Sequence, residues 1–237
     1  MAESPSSDLQ KSRAHKVIRS IPFLACLSEE ELTELEKIIL KKHFKKNDVI
    51  LLEEDTSNFM YIIFSGKVKV VNISADGKEQ ILAIHKKGDF FGEMALLDGK
   101  TRSATVIAME EVHAGLIQRS DFERLFKNPK VLRELISILC SRLRTALFML
   151  KVLSFADAEQ RVRSILAHLS TQYGVNDQQG TLINVRLTHK NIADYTSLSR
   201  ETVTRLLDRF VRSGEIEIID NKYILLKSPF FKKIPSL

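Results

Sequence analysis

The spacing of apolar and polar residues divides the chain into three parts, and the first part predicts a β-roll. It opens with a helix whose apolar stripe follows a capping box of Ser28 and Glu31. Short apolar runs then recur at close spacing between turn signals, which is typical of an antiparallel barrel or roll. Residues 1–128 are assigned to this domain. Its predicted strands are Val49–Leu52, Met60–Phe64, Lys67–Asn72, Gln80–Ile84, Ser103–Ala108 and Val112–Gln118.

The second part, residues 129–154, predicts one long helix, because no Gly or Pro follows Pro129 until Gly174. Apolar residues recur on it at alternating steps of four and three, the spacing of a coiled-coil seam. A second apolar stripe is assigned to packing against the roll. We expect the seam to form a parallel homodimer, and a monomer is the alternative. The seam is Leu132, Ile136, Leu139, Leu143, Ala146, Leu150 and Leu153, and the second stripe is Leu135, Ile138 and Leu147.

The third part, residues 155–237, contains two short helical patterns separated by Thr196-Ser197-Leu198, which is the spacing of a helix-turn-helix. Thr188 is placed to cap the first helix and Ser199 to cap the second. Ala193 is the small residue that allows the two helices to cross closely. If Ser197 takes the left-handed conformation often given to Gly in such turns, it costs ~1 kcal/mol.

A β-hairpin completes a winged helix in this part. Its predicted strands are Glu215–Ile219 and Tyr223–Leu226, joined by a turn at 220–222. Before the helix-turn-helix, Asp157 is placed to cap a helix that runs to Tyr173, so the junction at 154–156 is a candidate hinge. Tyr173–Gly180 is predicted to be a loop. The fold class is α+β: an N-terminal antiparallel β-roll, a long dimerisation helix and a C-terminal winged helix-turn-helix.

The second helix of the helix-turn-helix displays side chains that can read DNA bases. Arginine donates to O6 and N7 of guanine, and an acid accepts from N4 of cytosine. Such contacts usually come from the N-terminal part of the helix. The alternative is a solvated face of mixed charge. The candidate base-reading residues are Arg200, Glu201, Thr204 and Arg205, and the candidate phosphate contacts are Thr188, His189, Lys190, Ser199 and Thr202.

The stretch FFGEMALLDGKTRSATV interrupts the predicted sheet with a short helical turn. Gly92 precedes the turn, which begins with Glu93 and Met94. Free N–H groups at its start attract a phosphate, Arg102 can donate two parallel hydrogen bonds to it, and Ser103 adds a hydroxyl. Glu93 can accept from a neighbouring sugar hydroxyl. The residues predict a ribose-phosphate site, and the alternative is a Glu93–Arg102 salt bridge closing a β-bulge.

Charge and composition limit the possible functions. The net charge is +6 with a pI of about 9.2, which permits an acidic partner such as DNA. No apolar run approaches the ~20 residues of a membrane span. Cys26 and Cys140 lie far apart, which favours the cytoplasm and argues against a cysteine-built metal site. The six histidines show no pair at helical spacing, and no nucleophile–base arrangement is present. We therefore expect no metal, no catalytic residues and no enzymatic activity.

Two motifs together resemble one known family. F-G-E, followed nine residues after the Glu by R-S-A, resembles the phosphate-binding cassette of cyclic-nucleotide-binding domains. L-S-R-E-T-V-x-R resembles the recognition helix of the cyclic-AMP receptor protein (CRP/FNR) family, and the order of roll, long helix and winged helix is the same. The resemblance implies a homodimeric regulator that binds double-stranded DNA, responds to a nucleotide and contacts RNA polymerase.

The resemblance also assigns residue roles. It places Glu93 at the ribose 2′-hydroxyl, Arg102 and Ser103 at the cyclic phosphate, and the base-reading residues at TGTGA-like half-sites. Cyclic-AMP-responsive members carry a Thr-Ser pair where this chain has Ala146-Leu147, with Thr145 beside it. Cyclic AMP is the first candidate effector. Cyclic-di-GMP, another small molecule or no ligand are alternatives, and a signalling scaffold acting through protein contacts is the alternative of a different class.

Overall fold

The chain folds into two compact units, Met1–Leu143 and Arg144–Leu237, which divide within one helix. This computed structural model describes residues 17–19, 21–154, 157–220 and 223–234. Two positions of the predicted hinge, 155 and 156, and two of the predicted wing turn, 221 and 222, lie outside the described residues. No helix in the described ranges is both long and apolar enough to cross a membrane.

The first unit is the predicted antiparallel β-roll. Its elements are α1 (Glu29–Ile38), β1 (Leu40–Phe44), β2 (Val49–Leu51), β3 (Phe59–Ser65), β4 (Lys67–Ile73), β5 (Glu79–Lys86), β6 (Phe90–Phe91), α2 (Glu93–Asp98), β7 (Thr105–Ala108), β8 (Val112–Gln118), α3 (Arg119–Leu125) and the first part of α4 (Pro129–Leu153). One sheet has the order β1-β8-β3-β6 and another the order β2-β7-β4-β5, with antiparallel pairing throughout.

Each predicted strand of the roll is present, with ends that differ by a few residues. The capping box is also present, since Ser28 Oγ accepts from Glu31 N at 3.2 Å. Two further strands were not predicted. β1 has four exposed residues and no apolar alternation, and β6 has only two residues. β1 pairs with β8 and β6 pairs with β3, and these pairings hold both as strands although their local sequences do not predict one.

Two apolar clusters hold the roll together. One contains buried residues of β3, α3 and α4, including Met60, Phe122 and Leu135. The other fills the space between strands of both sheets and includes Ile63 and Val106. The short helix α2 is tied to the first cluster through Leu96, so the predicted site stands on a rigid base.

The long helix α4 has the predicted bounds, and its apolar residues divide into buried and exposed sets. Leu135 is fully buried, and Ile138 and Leu139 are half-buried against the same cluster. The seam residues Leu143 and Leu150 are exposed by 62% and 66%. Leu139, which was assigned to the seam, packs instead against this cluster, so that assignment is wrong; Leu147 is 57% exposed and lies in the second unit, so its assignment to the roll-facing stripe stays a prediction.

The second unit has the predicted winged helix-turn-helix. After the end of α4, its elements are α5 (Ala158–Tyr173), β9 (Gly174–Asp177), β10 (Gly180–Ile183), α6 (His189–Thr196), α7 (Arg200–Arg212), β11 (Ile216–Ile219), β12 (Tyr223–Leu226) and α8 (Ser228–Phe231). Asp157 caps α5, as predicted, by accepting from Glu159 N at 2.9 Å.

The predicted loop Tyr173–Gly180 is instead mostly strand. β9 pairs with β10, and β10 pairs with β12, so the wing belongs to a four-stranded sheet of order β11-β12-β10-β9. The polar residues between Gly174 and Gly180 favour a turn locally. The neighbouring strand β12 provides the hydrogen-bond partners that extend the hairpin.

Candidate functional site

The short helix α2 presents the predicted acid, and its glutamate has a partner that the sequence analysis missed. Gly92 caps α2 in the left-handed conformation with φ 85°, and Glu93 is 2% exposed. Arg142 of α4 donates from Nη1 to Glu93 Oε1 at 2.7 Å and from Nη2 to the Phe90 carbonyl at 2.7 Å. The Arg142 guanidinium lies 4.4 Å from the centroid of the Phe90 ring. Glu93 is therefore a buried carboxylate neutralised by a cation from the long helix.

The predicted phosphate clamp, Arg102, is almost fully buried at 3% exposure. Its Nε and Nη2 atoms donate to Ser57 Oγ at 3.0 and 2.9 Å, and Nη2 and Nη1 donate to the carbonyls of Phe59 and Gly92. Since a guanidinium has five N–H groups, these four contacts leave one Nη1 donor. Burial lowers the pKa of Arg102, and the charges of Asp55 and Glu93 oppose that shift.

Gly92 is required at its position for two reasons. Its positive φ disfavours any L side chain. A Cβ there would also lie 2.9 Å from Arg102 Nη1 and 3.0 Å from a Leu51 methyl. The turn and the buried guanidinium therefore fit together only around glycine.

Ser103 and Met94 stand at the exposed side of the same cassette. The Ser103 hydroxyl lies 3.7 Å from the Met94 sulfur, and Met94 is 50% exposed. Thr145 is half-buried and lies on α4 within the second compact unit. Its predicted contact with the base of a nucleotide stays a prediction.

The alternative of a Glu93–Arg102 salt bridge does not describe the pairing that is found. Glu93 pairs with Arg142, and Arg102 bonds to Ser57 and two carbonyls. The signal for Arg142 was present in the helix pattern: it follows Leu135 and Ile138 at steps of three and four, and so continues the roll-facing stripe. A cation in that stripe indicates a buried anion opposite.

His85 of β5 is another titratable group close to Arg142. Its side chain is 14% exposed, and its Nδ1 lies 3.8 Å from Asp89 Oδ2. Burial, with a smaller contribution from the Arg142 charge, lowers the pKa of His85 to about 3. The imidazole is therefore neutral at physiological pH.

The helix-turn-helix has the predicted caps and turn. Thr188 Oγ1 accepts from Asn191 N at 3.1 Å, and Ser199 Oγ accepts from Thr202 N at 3.1 Å. Ser197 takes the left-handed conformation, with φ 53° and ψ 39°. The left-handed backbone at Ser197 is therefore sterically unfavourable, because serine carries a Cβ.

The predicted base-reading residues lie on the exposed first turns of α7. Arg200, Glu201 and Arg205 are exposed. Thr204 is half-buried, and its Oγ1 atom forms a hydrogen bond of 2.8 Å with His189 Nδ1. Two arginine side chains beside a glutamate can form hydrogen bonds with base edges in a major groove.

Several predicted phosphate contacts are used within the chain. The Thr188 and Ser199 hydroxyls serve as caps, and Lys190 Nζ pairs with Asp194 Oδ1 at 2.6 Å. Lys190 keeps 59% of its side chain exposed, and Thr202 is half-buried beside Ser199. Capping hydroxyls are compatible with a phosphate at the same helix N-terminus, because the remaining N–H groups there stay free to donate.

A buried ion pair anchors α7, and sequence analysis did not predict it. Arg163 Nη1 donates to Glu215 Oε2 at 2.6 Å, with both side chains 4% exposed. The Arg163 guanidinium also lies 4.2 Å from the centroid of the Phe210 ring on α7. Burial favours the neutral Glu215 carboxyl, but hydrogen bonds from Arg163, Ser213 and Lys233 hold its pKa to about 2. The pair fixes the recognition helix to α5.

Both units match known families. Residues 41–128 match the cyclic nucleotide-binding domain family, and residues 160–229 match the Crp-like helix-turn-helix domain family. These matches cover the β-roll with its cassette and the helix-turn-helix with its wing.

Two relatives and one solved structure match this chain over most of its length. The chain is 32% identical over 211 residues to Regulatory protein HlyX of Actinobacillus pleuropneumoniae, covering 87% of this chain and 85% of HlyX. It is 31% identical over 202 residues to the Cyclic AMP receptor protein of Thermus thermophilus, covering 85% and 90% of the two chains. The solved structure of FixK2 from Bradyrhizobium japonicum has a TM-score of 0.75 at 23% identity, covering 84% of this chain and 99% of FixK2. The likeness to FixK2 is one of fold.

Proposed function

Because this chain belongs to the CRP/FNR family of DNA-binding transcription regulators, we propose that it acts as a homodimer on pseudo-palindromic, TGTGA-like DNA under the control of a cyclic nucleotide. Cyclic AMP is the first candidate effector. The chain is a regulator of this family and not an enzyme. The observation that carries the DNA proposal is the exposed trio of Arg200, Glu201 and Arg205 on an anchored helix.

The anchoring of α7 supports a role in reading sequence. A base contact requires side chains that start from a fixed backbone, because a loosely held helix would lose orientational entropy on binding. Phe210 is fully buried and packs against Arg163, whose ion pair with Glu215 is sealed from water. Two such helices spaced ~34 Å apart would reach successive major grooves.

Binding to DNA is tested with a labelled palindromic TGTGA duplex and a scrambled duplex over a range of salt. We expect affinity to fall steeply with salt on both, since Lys and Arg displace counterions. Arg205→Ala should cost about 1–3 kcal/mol on the palindrome and relax one base position. Arg212→Ala, two turns along α7, removes the same charge and is the control. Equal losses on both duplexes would make Arg205 a phosphate contact.

The exposed seam of α4 supports the homodimer. Leu132, Ile136, Leu143 and Leu150 are exposed by 39–66% in the single chain. Such a stripe on a helix of 25 residues is expected to be covered by a partner helix, which removes its apolar surface from water. Leu143→Glu with Leu150→Glu should give a monomer in sedimentation, and the double change to Met should leave the dimer.

An effector at the cassette would compete with contacts that the chain makes itself. A ribose hydroxyl at Glu93 would share the carboxylate with Arg142, and a cyclic phosphate could use the remaining Nη1 donor of Arg102. We infer that ligand binding changes the Glu93–Arg142 pair and thereby the helix α4 that carries Arg142. Such coupling must be reciprocal, so operator DNA should tighten nucleotide binding by the same factor.

A second candidate, a regulator that senses another small molecule or no ligand, is favoured by one observation. Four of the five Arg102 N–H groups are already satisfied inside the chain. The apolar pair Ala146-Leu147 is consistent with this candidate, since neither side chain can hydrogen-bond a base.

Calorimetric titration with cyclic AMP, cyclic GMP and cyclic-di-GMP separates the two candidates. Glu93→Gln keeps the shape of the site and should abolish binding of the true effector. Ser57→Ala removes an internal partner of Arg102 without changing its charge, and should preserve or tighten binding. If none of the three nucleotides gives a heat of binding while DNA binding is retained, the cyclic-nucleotide proposal is rejected and the second candidate remains.

A further inference from the structure

Two histidines and a glutamate meet on the exposed face of the β-roll, at edge strand β1. In the register of β1 and β8, His43 lies directly opposite His113, and Glu111 immediately precedes β8. The two imidazole rings are stacked, with centroids 4.7 Å apart and planes at 23°. The strand pairing therefore brings together two ligand side chains that are distant in sequence.

The ligand atoms of this cluster converge on one point. Glu111 Oε1 lies 2.7 Å from His43 Nε2 and 3.8 Å from His113 Nε2. One ligand atom from each of the three residues lies within 4.8 Å of the other two. Two ligands that are each ~2.1 Å from a tetrahedral zinc ion stand about 3.4 Å apart. Because all three side chains are exposed, small rotations are enough to reach that geometry.

We propose that His43, Glu111 and His113 bind one Zn²⁺ ion, with a fourth position open to water. Imidazole nitrogen and carboxylate oxygen suit zinc, and the two imidazoles disfavour Mg²⁺ and Ca²⁺, which prefer oxygen. The ion links the side chains of β1 and β8 across an edge that is otherwise held by the backbone ladder. This site is distinct from the cassette of Glu93 and Arg102 and makes the roll responsive to a metal.

Calorimetric titration of ZnCl₂ into the full-length protein, prepared without a histidine tag, tests the proposal. One saturable ion per chain is expected in wild type, and the same stoichiometry should be lost in His43→Gln and in His113→Gln. Glu111→Gln should weaken binding by at least ~10-fold. Glu110→Gln is the matched control, because Glu110 pairs with Lys67 at 3.5 Å and lies outside the cluster.

A second measurement separates this site from other weak zinc ligands. Because the opposed histidines exist only in the folded register, zinc should raise the melting temperature of wild type and of Glu110→Gln but not of His113→Gln. Zinc bound by the exposed Cys140 thiol would persist in both histidine variants. Unchanged stoichiometry in those variants, or no saturable binding in wild type, overturns the proposal and leaves the cluster as an ion pair.

Discussion

Each compact unit buries an Arg–Glu pair, and the two pairs differ in access to water. In the roll, Glu93 is 3% exposed by side chain, but its partner Arg142 is 30% exposed. In the winged helix, Arg163 and Glu215 are both 4% exposed, and Glu215 also accepts from Ser213 and Lys233. Under the proposed function, the first pair can exchange a partner with a ligand that arrives from solvent, whereas the second pair holds its elements in place.

The largest expected difference comes from removing the arginine of each pair. Arg163→Met leaves the buried Glu215 carboxylate with only the Ser213 hydroxyl and Lys233 as partners, and it should lower the free energy of unfolding of the second unit by about 3 kcal/mol. Arg142→Met should cost the roll only about 1–2 kcal/mol, because water can reach Glu93 where the partly exposed guanidinium was. Hydrogen exchange read by mass spectrometry reports each unit separately.

The control for this comparison is Arg212→Met, which changes an exposed arginine and should stay within about 0.5 kcal/mol of wild type. Equal losses at positions 142 and 163 would mean that the two pairs are equally structural. The Glu93–Arg142 pair would then be a poor candidate for ligand exchange.

The next effect is a difference in acid sensitivity. The pKa of His85 is lowered to about 3, so the stability that its neutral form contributes is complete above the ordinary pKa of 6.5 and is lost as pH falls toward 3. At pH 5 the loss is about 2 kcal/mol. The pKa of Glu215 is lowered to about 2, so its contribution is complete above 4.5 and declines only below that pH. The contribution of His85 should therefore be lost before that of Glu215 on acidification.

Urea unfolding followed by circular dichroism between pH 7 and pH 5 measures this difference. Wild type should lose stability over that interval, and His85→Leu should lose less. Asp89 and Arg142 face His85 and are unchanged in the variant, so they do not account for the difference. Parallel pH profiles for the two proteins would contradict the assignment of the acid sensitivity to His85.

The smallest effect concerns the turn of the helix-turn-helix. Ser197→Gly relieves the left-handed backbone and should raise the free energy of unfolding of the second unit by about 0.5–1 kcal/mol. Ser197→Ala should bring no gain, since alanine also carries a Cβ. The melting temperature distinguishes the two, and a gain in both variants would point to the hydroxyl instead of the backbone.

Much of the fold could be predicted because its signals are local. The strands of the roll are apolar runs bounded by turns, α4 has no breaker, and the caps Ser28, Asp157, Thr188 and Ser199 use the residues that local physics favours. β1 and the β9–β10 hairpin escaped prediction because β1 and β9 show no apolar alternation and β10 has only four residues. Their strand conformation depends on neighbours that are remote in sequence.

The site was predictable in part for the same reason. Glu93 and Arg102 lie in one short motif, whereas the partner of Glu93 comes from α4 and the partner of Arg163, Glu215, lies between α7 and β11. The His43–His113 pair depends on strand register, which the spacing of histidines along a helix cannot indicate. Pairings of this kind are fixed by tertiary structure.

The Glu93–Arg142 pair also constrains how the chain can change over generations. Replacing either partner leaves an unpaired buried carboxylate or an unpaired arginine, so a substitution at one position alone has a cost in stability. A descendant that loses one partner is therefore expected to lose the other as well. Under the proposed function, relatives in which both positions are apolar should respond to a different input signal.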